Sequence, residues 1–266
     1  MDLQLRGKRA LVTGSSRGIG RAIALGLAEE GVDVVVHGRD AGRAQATADA
    51  IVKAGGQAVV VLGDLAEDTA AAQAAAAATA AFGGIDILVN NAGTAEDTGW
   101  AGATAPDWLS LYDSNVASAV RMIGALTPRM RDGGWGRVIQ IGSAASPNPL
   151  PERAAYSAAK AAMANLTVSL AKELTGTGTT ANTISPGPTL TDGFRELTQS
   201  FAESHGLRDA ETAVRILLDG PLACPSARLV EPAEIAALVA LVASPLGASI
   251  NGANLRIDGG FTPTVN

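Results

Sequence analysis

Short apolar runs alternate along the chain with longer stretches in which apolar positions recur every three or four residues. The apolar runs predict strands at Arg9–Thr13, Val32–His37, Ala58–Leu62, Ile85–Asn90, Arg137–Ile141, Thr180–Ile184 and Asn254–Ile257. Most are rich in Val and Ile and apolar at consecutive positions, the pattern of strands covered on both faces. The segments between them are long enough for crossover helices. This alternation predicts an α/β architecture: one doubly wound, mostly parallel sheet of seven strands with helices on both faces, forming a single domain over residues 1–266.

Two segments need separate treatment. Thr69–Phe82 is nearly all alanine and carries no charge. Alanine is the best helix former, and Glu67 and Asp68 suit a helix N-terminus, so a crossover helix is expected there and not a linker. Residues 188–232 are longer than a plain connection. Phe194, Leu197 and Phe201 fall at helical spacing, and Ala213, Val214, Leu217 and Leu218 suggest a second short helix. The expectation is a small helical lid over a substrate site, with a structural hairpin packed on the body as the alternative.

Composition narrows the setting. Apolar residues at 47% supply a large core in 266 residues, and the net charge of −6 argues against a nucleic-acid or anionic-membrane surface. A single cysteine, Cys224, rules out an intramolecular disulfide. His37 and His205 lie far apart with no cysteine at a ligand spacing, so no metal site is expected. No apolar run reaches the ~18 residues of a membrane span, and the first strand begins too early for a leader. A soluble, cytoplasmic protein acting on a small molecule is expected.

The candidate chemistry begins just after the first strand. Thr13-Gly14-Ser15-Ser16-Arg17-Gly18-Ile19-Gly20 places glycines where a tight turn and close backbone approach would lay a pyrophosphate on a helix N-terminus. At the end of the second strand the sequence reads His37-Gly38-Arg39-Asp40. A dinucleotide site selective for NAD usually puts a carboxylate there to bind ribose hydroxyls. Gly38 occupies that position and Arg39 follows, which suits a 2′-phosphate, with Arg17 as a second cation. NADP(H) is therefore favoured over NAD(H). Asp40 is the counter-argument, because a slip of one residue would restore the ribose-binding acid.

A second constellation is Tyr156-Ser157-Ala158-Ala159-Lys160, with Ser143 upstream. The chain has two tyrosines and four lysines, so a Tyr-x-x-x-Lys pair would arise by chance only about 0.03 times. On a helix the two side chains share a face, and an ammonium beside a phenol lowers its pKa, making a usable proton donor and acceptor.

With these residues in place, the chain resembles the classical short-chain dehydrogenase/reductase family along essentially its whole length. The cofactor motif matches Thr13–Gly20, the Asn-Asn-Ala-Gly motif matches Asn90-Asn91-Ala92-Gly93, and the catalytic asparagine matches Asn115. Ser143, Tyr156 and Lys160 match the catalytic serine and the Tyr-x-x-x-Lys pair, although Gly142 stands where the family often has a second serine. Pro186-Gly187 and the ending Asn251-Gly252 through Asp258-Gly259-Gly260 also fit.

The resemblance implies a Rossmann fold and hydride transfer between a nicotinamide and a ketone or secondary alcohol. Tyr156 would act as proton donor and Ser143 would hold the carbonyl oxygen. Lys160 would tune Tyr156 and bind the nicotinamide ribose, and Asn115 would hold a water of a proton relay. Cofactor contacts are implied for Gly14, Ser16, Arg17, Gly18, Ile19, Gly20, Gly38, Arg39, Asp64, Leu65, Asn91, Ala92, Gly93, Tyr156, Lys160, Pro186, Gly187 and Thr189, with Ile184 also beside the nicotinamide. The substrate is expected to be apolar, from Phe194, Leu197, Phe201 and Trp100, and a 3-oxoacyl thioester is the nearest named candidate. For a carrier-protein partner, Arg129, Arg131 and Arg137 would form a basic patch, or equally a solvated rim. A homotetramer is implied. The competing readings are an NADP(H)-binding redox sensor without turnover, which an intact proton donor opposes, and an epimerase or dehydratase, which usually carries a further C-terminal domain.

Overall fold

The computed structural model describes residues 1–95 and 99–264. Seven strands form one sheet: β1 (Arg9–Val12), β2 (Asp33–Gly38), β3 (Ala58–Leu62), β4 (Ile87–Asn90), β5 (Gly136–Ile141), β6 (Thr179–Pro186) and β7 (Asn254–Ile257). Their order is β3-β2-β1-β4-β5-β6-β7, and every pairing is parallel, so the "mostly parallel" sheet of the sequence reading is parallel throughout. Each strand therefore returns through a crossover, and the helices are α1 (Gly18–Glu29), α2 (Ala41–Lys53), α3 (Asp68–Phe82), α4 (Ala105–Tyr112), α5 (Ser118–Asp132), α6 (Ala154–Glu173), α7 (Asp192–Ser204), α8 (Ala210–Leu218) and α9 (Pro232–Ala243).

The alternation of side chains along each strand divides the core into two layers. Val12, Val34, Val36, Val89 and Ile139 point to one face, where Ile23 and Leu27 of α1, Ile51 of α2 and Ile235 and Val239 of α9 cover them. Leu11, Val35, Leu88 and Val138 point to the other, under Ala71, Ala74, Ala75 and Ala78 of α3 and Met122, Leu126 and Met130 of α5. The alanine-rich segment is a helix as expected, ended by Gly83 in the left-handed conformation (φ 75°). Its buried alanines let α3 lie close on the sheet.

Two sequence assignments change here. Arg137 is not a rim residue, because its place in β5 leaves it 2% exposed. Its guanidinium donates to the carbonyls of Gly136 (2.8 Å) and Gly178 (3.2 Å) and stacks 4.5 Å from the Trp135 ring. Arg129 and Arg131 are exposed as expected, and Arg131 pairs with Glu173. Ile184 is fully buried against the same core layer as Val89 and Ile139, so its side chain packs the sheet and does not face a ligand.

The order of strands reverses between β1 and β4. Crevices at the C-terminal ends of strands on either side of such a reversal are where open α/β sheets bind ligands. Residues 188–232 form α7 and α8 near this edge, joined to the body by a parallel bridge between Thr189 and Val230.

The tight α3 packing gives a stability prediction. Ala78→Leu, at a fully buried position, should destabilise the protein by about 1–3 kcal/mol in urea unfolding. Ala77→Leu, on the exposed side of the same helix, should stay within about 0.5 kcal/mol of the parent.

Candidate active site

The crevice is a cavity of about 420 Å³ lined by the glycine-rich turn, the ends of β2 and β3, the Asn-Asn-Ala-Gly segment and the entry to α7. Its turn depends on hydrogen bonds to β4. Thr13 Oγ1 accepts the N–H groups of Asn91 and Ala92 at 3.0 Å, and Asn91 Nδ2 donates to the carbonyls of Thr13 and Gly14, both at 3.0 Å. Gly14 has φ +63°, and a Cβ on Gly20 would overlap Asn91 Nδ2 and the Gly14 carbonyl. Only glycine fits either position. Thirteen of the sequence-assigned cofactor residues line this one cavity: Gly14, Ser16, Arg17, Gly18, Ile19, Gly20, Gly38, Arg39, Asp64, Leu65, Asn91, Ala92 and Gly93.

Sequence reasoning missed the clasp between this turn and β2. Ser15 donates its N–H to the His37 carbonyl (2.8 Å), and its Oγ accepts the His37 N–H (3.0 Å). The Gly14 N–H donates to His37 Nδ1 at 3.2 Å. His37, 3% exposed, is therefore neutral with its proton on Nε2, and burial pushes its pKa down to about 4. Ser114, Ser118 and Thr191 also line the cavity without having been singled out.

The register at the end of β2 is unambiguous. Asp40 caps α2, accepting the Arg43 N–H at 3.0 Å, and does not line the cavity. Gly38 and Arg39 do, and Arg39 lies 3.3 Å from Asp64 in an exposed ion pair.

The catalytic candidates Asn115, Ser143, Tyr156 and Lys160 lie outside the lining of this cavity, with Asn115 next to its Thr94 and Ser114. Between α4 and α5 the helix widens into a π turn, Asp113–Ala117, centred on Asn115. Such turns are rare and often mark functional sites. Asn115 Nδ2 donates to the carbonyls of Thr94 (3.0 Å) and Leu111 (2.9 Å), while its buried Oδ1 has no partner among the described residues. Ser143 Oγ accepts the Ala145 N–H at 3.1 Å and is hydrogen-bonded to the Tyr156 hydroxyl. Burial raises the pKa of Tyr156, opposed by the Ser143 bond and by the charge of Arg153.

Lys160 shares a face of α6 with Tyr156, as the helical spacing predicts. Its Nζ donates to the Ile141 carbonyl at 2.9 Å and lies 5.7 Å from the Tyr156 ring centroid. Burial without a carboxylate partner lowers its pKa to about 8. The ammonium is thus hydrogen-bonded to a main-chain carbonyl, and burial dominates the shift of the phenol. Beside the site, Pro186 ends β6, and a Cβ on Gly187 would come within 2.7 Å of Asp258 Cα. Thr189 Oγ1 donates to the Gly187 carbonyl at 2.8 Å. These three form the next turn along the sheet edge and are outside the cavity lining. Trp100 is 73% exposed and lies 5.3 Å from Trp108, whose ring shares an apolar cluster with Tyr156. Phe201 is stacked on His205 and Leu197 is exposed, so the apolar side chains of α7 do not converge on a pocket.

A glycine turn at the strand reversal, with serine, tyrosine, lysine and asparagine assembled beside it, is matched by a family model described as short chain dehydrogenase, which covers residues 8–201. The chain belongs to the short-chain dehydrogenase/reductase family. Among curated relatives, the 3-oxoacyl-acyl-carrier-protein reductase FabG of Vibrio cholerae is 36% identical, over 97% of this chain and 99% of its own. Among solved structures, the L-sorbose reductase of Gluconobacter frateurii, complexed with NADPH and L-sorbose, superposes with a TM-score of 0.95 at 31% identity over 100% of both chains. A 7α-hydroxysteroid dehydrogenase complexed with NADH and 7-oxoglycochenodeoxycholic acid gives 0.87 at 29% identity, over 100% of this chain and 98% of that one. The protein is thus an oxidoreductase of this family with a nicotinamide cofactor. No helix among the described residues is long and apolar enough to cross a membrane.

The neutral His37 makes stability pH-dependent. Unfolded, the imidazole binds a proton near its ordinary 6.5, whereas folded it does so only at about 4. Between these values the unfolded chain holds more protons, so stability is fully present above 6.5 and is lost as pH falls towards 4, by up to roughly 3 kcal/mol. Urea unfolding from pH 7 to 4 should show this loss, and in His37→Asn the slope should flatten.

Proposed function

We propose that this chain is an NADP(H)-dependent reductase interconverting a ketone and a secondary alcohol. The observation that carries the reading is the placement of Ser143 and Tyr156, hydrogen-bonded to each other, near a cavity lined by the glycine-rich turn, Arg17 and Arg39, with no carboxylate at position 38. The cavity suits the cofactor, because the N-terminus of α1 borders it with no side-chain cap on its free N–H groups, the place where a pyrophosphate is held. When bound there, the cofactor supplies or accepts a hydride at the substrate carbon.

The chain's own residues handle the proton. In the reductive direction the Tyr156 hydroxyl donates its proton to the carbonyl oxygen, leaving a phenolate as the alcohol forms. Ser143 Oγ holds that oxygen and stabilises the charge developing on it. Lys160, carrying an ammonium with a pKa of about 8, returns a proton to the phenolate and is itself recharged through Asn115, whose unpartnered Oδ1 suits a relay water. Burial raises the pKa of Tyr156, so its hydroxyl carries the proton at neutral pH and can serve as the donor.

The preference for NADP(H) rests on Arg39, because Asp40 is engaged at the α2 N-terminus. The NADPH bound to the L-sorbose reductase agrees with it, and the NADH bound to the steroid dehydrogenase shows that the fold accommodates either. We take the substrate to be a ketone, with 3-oxoacyl thioesters included on the similarity to FabG; the exposed Leu197 and Trp100 do not support the apolar character expected from the sequence. In this reading the chain is a single domain, and α7–α8 forms a lid whose entry, Thr191–Gly193, already borders the cavity. It works in the cytoplasm as a homotetramer, for which exposed Leu109, Tyr112, Val120 and Val168 on α4, α5 and α6 supply apolar surface.

Oxidation of NADPH, followed at 340 nm across β-ketoacyl thioesters, cyclic and aromatic ketones, steroids and keto-sugars, tests the activity. Tyr156→Phe should lower kcat roughly 10²–10⁴-fold while leaving NADPH binding intact. Full turnover in that variant would exclude Tyr156 as the donor, and cofactor binding with no turnover on any ketone would favour the redox-sensor reading. Arg39→Asp should reduce the NADPH/NADH ratio of kcat/KM by about tenfold or more, the loss of one charge-assisted phosphate contact. An unchanged ratio would remove Arg39 from cofactor selection.

A further inference from the structure

Two walls of the cofactor cavity come from segments far apart in sequence. One is the loop after β3, with Asp64, Leu65 and Ala66; the other is the π turn and the start of α5, with Ser114 and Ser118. Arg121 lies one turn beyond Ser118 on α5 and behind both walls. Its Nε donates to Asp68 Oδ1 at the start of α3, and its Nη1 donates to the Leu65 carbonyl at 3.3 Å and to Asp113 Oδ1 at 2.8 Å. One planar fork thus holds three acceptors on three elements, a task for which guanidinium is suited and ammonium is not.

The Asp113 contact is unusual in its spacing. The two residues are eight apart, which places them about 12 Å apart along a regular helix, well beyond the three- and four-residue neighbours that normally pair. The pair spans the π turn Asp113–Ala117, and Asn115 sits between its ends. Asn115 Nδ2 is fixed to Leu111 and Thr94, so the position of its free Oδ1 follows the shape of this turn. An isolated surface ion pair with Asp68, which is 88% exposed, would contribute little. The arginine itself is only 24% exposed, and its other two bonds reach inward to the loop and to the turn.

We propose that Arg121 is a positioning residue that couples the adenine loop to the π turn carrying Asn115, so that filling the adenosine end of the cavity orders the proton-relay end. This rests on the cofactor reading above. The loop that contacts the adenosine moiety and the turn that presents Asn115 share one guanidinium, so restraining Leu65 restrains the orientation of the fork and, through it, Asp113. Coupling of this kind is reciprocal, and an ordered π turn strengthens adenosine binding by the same factor.

The test uses the intact protein and two probes that lack nicotinamide, adenosine 2′,5′-bisphosphate and adenosine 5′-monophosphate. Amide hydrogen exchange is followed over residues 112–119. Saturating probe should slow exchange in that segment by about fivefold or more in the parent protein. In Arg121→Met the slowing should disappear and the probe Kd should rise about three- to tenfold. Asp113→Ala cuts the arm to the turn and leaves the arm to the loop. It should lose most of the slowing while its probe Kd rises less than that of Arg121→Met. A parent protein that binds a probe with no slowing at 112–119 would overturn the coupling and leave the cofactor reading standing. So would equal slowing in both variants. Failure of the parent to bind either probe would remove the adenosine site itself, and the coupling with it.

Discussion

Everything in this site hangs from the meeting of β1 and β4. All strands are parallel, and the two neighbours at the reversal of strand order send their chains away in opposite directions, opening a crevice at their C-terminal ends. The crevice would be a loose pair of loops without the bonds that close it. Thr13 Oγ1 satisfies two N–H groups of the β4 exit, and the Asn91 amide satisfies two carbonyls of the β1 exit. The two loops become one rigid unit, and the α1 N-terminus is held at its edge. The Ser15–His37 clasp then adds β2 to the same unit. The glycines follow from this closeness, since a side chain at Gly14 or Gly20 would occupy the space in which the loops touch.

The second constraint is electrostatic. Among the described residues the two buried cations, Lys160 and Arg137, have main-chain carbonyls, not carboxylates, as hydrogen-bond partners. Lys160 is 5% exposed and rests on the Ile141 carbonyl, while Arg137 rests on Gly136 and Gly178. A neutral dipole compensates an ammonium only partly, so desolvation dominates and the lysine pKa falls to about 8. That value suits a group that must give up and regain a proton near neutral pH. An Asp or Glu in place of the carbonyl would hold the proton too firmly. Arg137 cannot respond in this way, because guanidinium stays charged, and its role is confined to tying β5 to the Gly178 turn and to stacking on Trp135.

Much of this was legible in the sequence because the signals were local. Consecutive apolar residues marked the seven strands, and the glycine spacing with Tyr156 and Lys160 located both ends of the site. The misreadings share a cause. Arg137 was judged by residue type and Ile184 by its place in the family motif, whereas their roles depend on which face of an inner strand they occupy. The lysine–tyrosine proximity inferred from helical spacing is present at 5.7 Å, but the spacing could not show the Ile141 carbonyl that accepts from the ammonium, because it belongs to a strand. His37 was weighed only as a metal ligand, since nothing in its own segment shows that the Gly14 N–H points at it. The Asp113–Arg121 pair was invisible for a different reason. Eight residues is no helical spacing until a π turn is known to lie between them.

The chemistry of the β2 end shows how few residues separate the two cofactor types. Arg39 and Asp64 form an ion pair in which both side chains are largely exposed, at 69% and 47%. A pair of this kind contributes ~0–1 kcal/mol, so Arg39 can exchange its carboxylate for a phosphate at small cost. Asp40, by contrast, accepts an N–H of the first turn of α2 and lies where the helix dipole favours its charge. Turning it towards the cavity would forfeit that cap. One acid is therefore fixed in a structural position and the neighbouring cation is held only loosely. Which of the two borders the cavity is a consequence of where the α2 helix begins, because the cap position takes Asp40 out of the lining and leaves Arg39 in it.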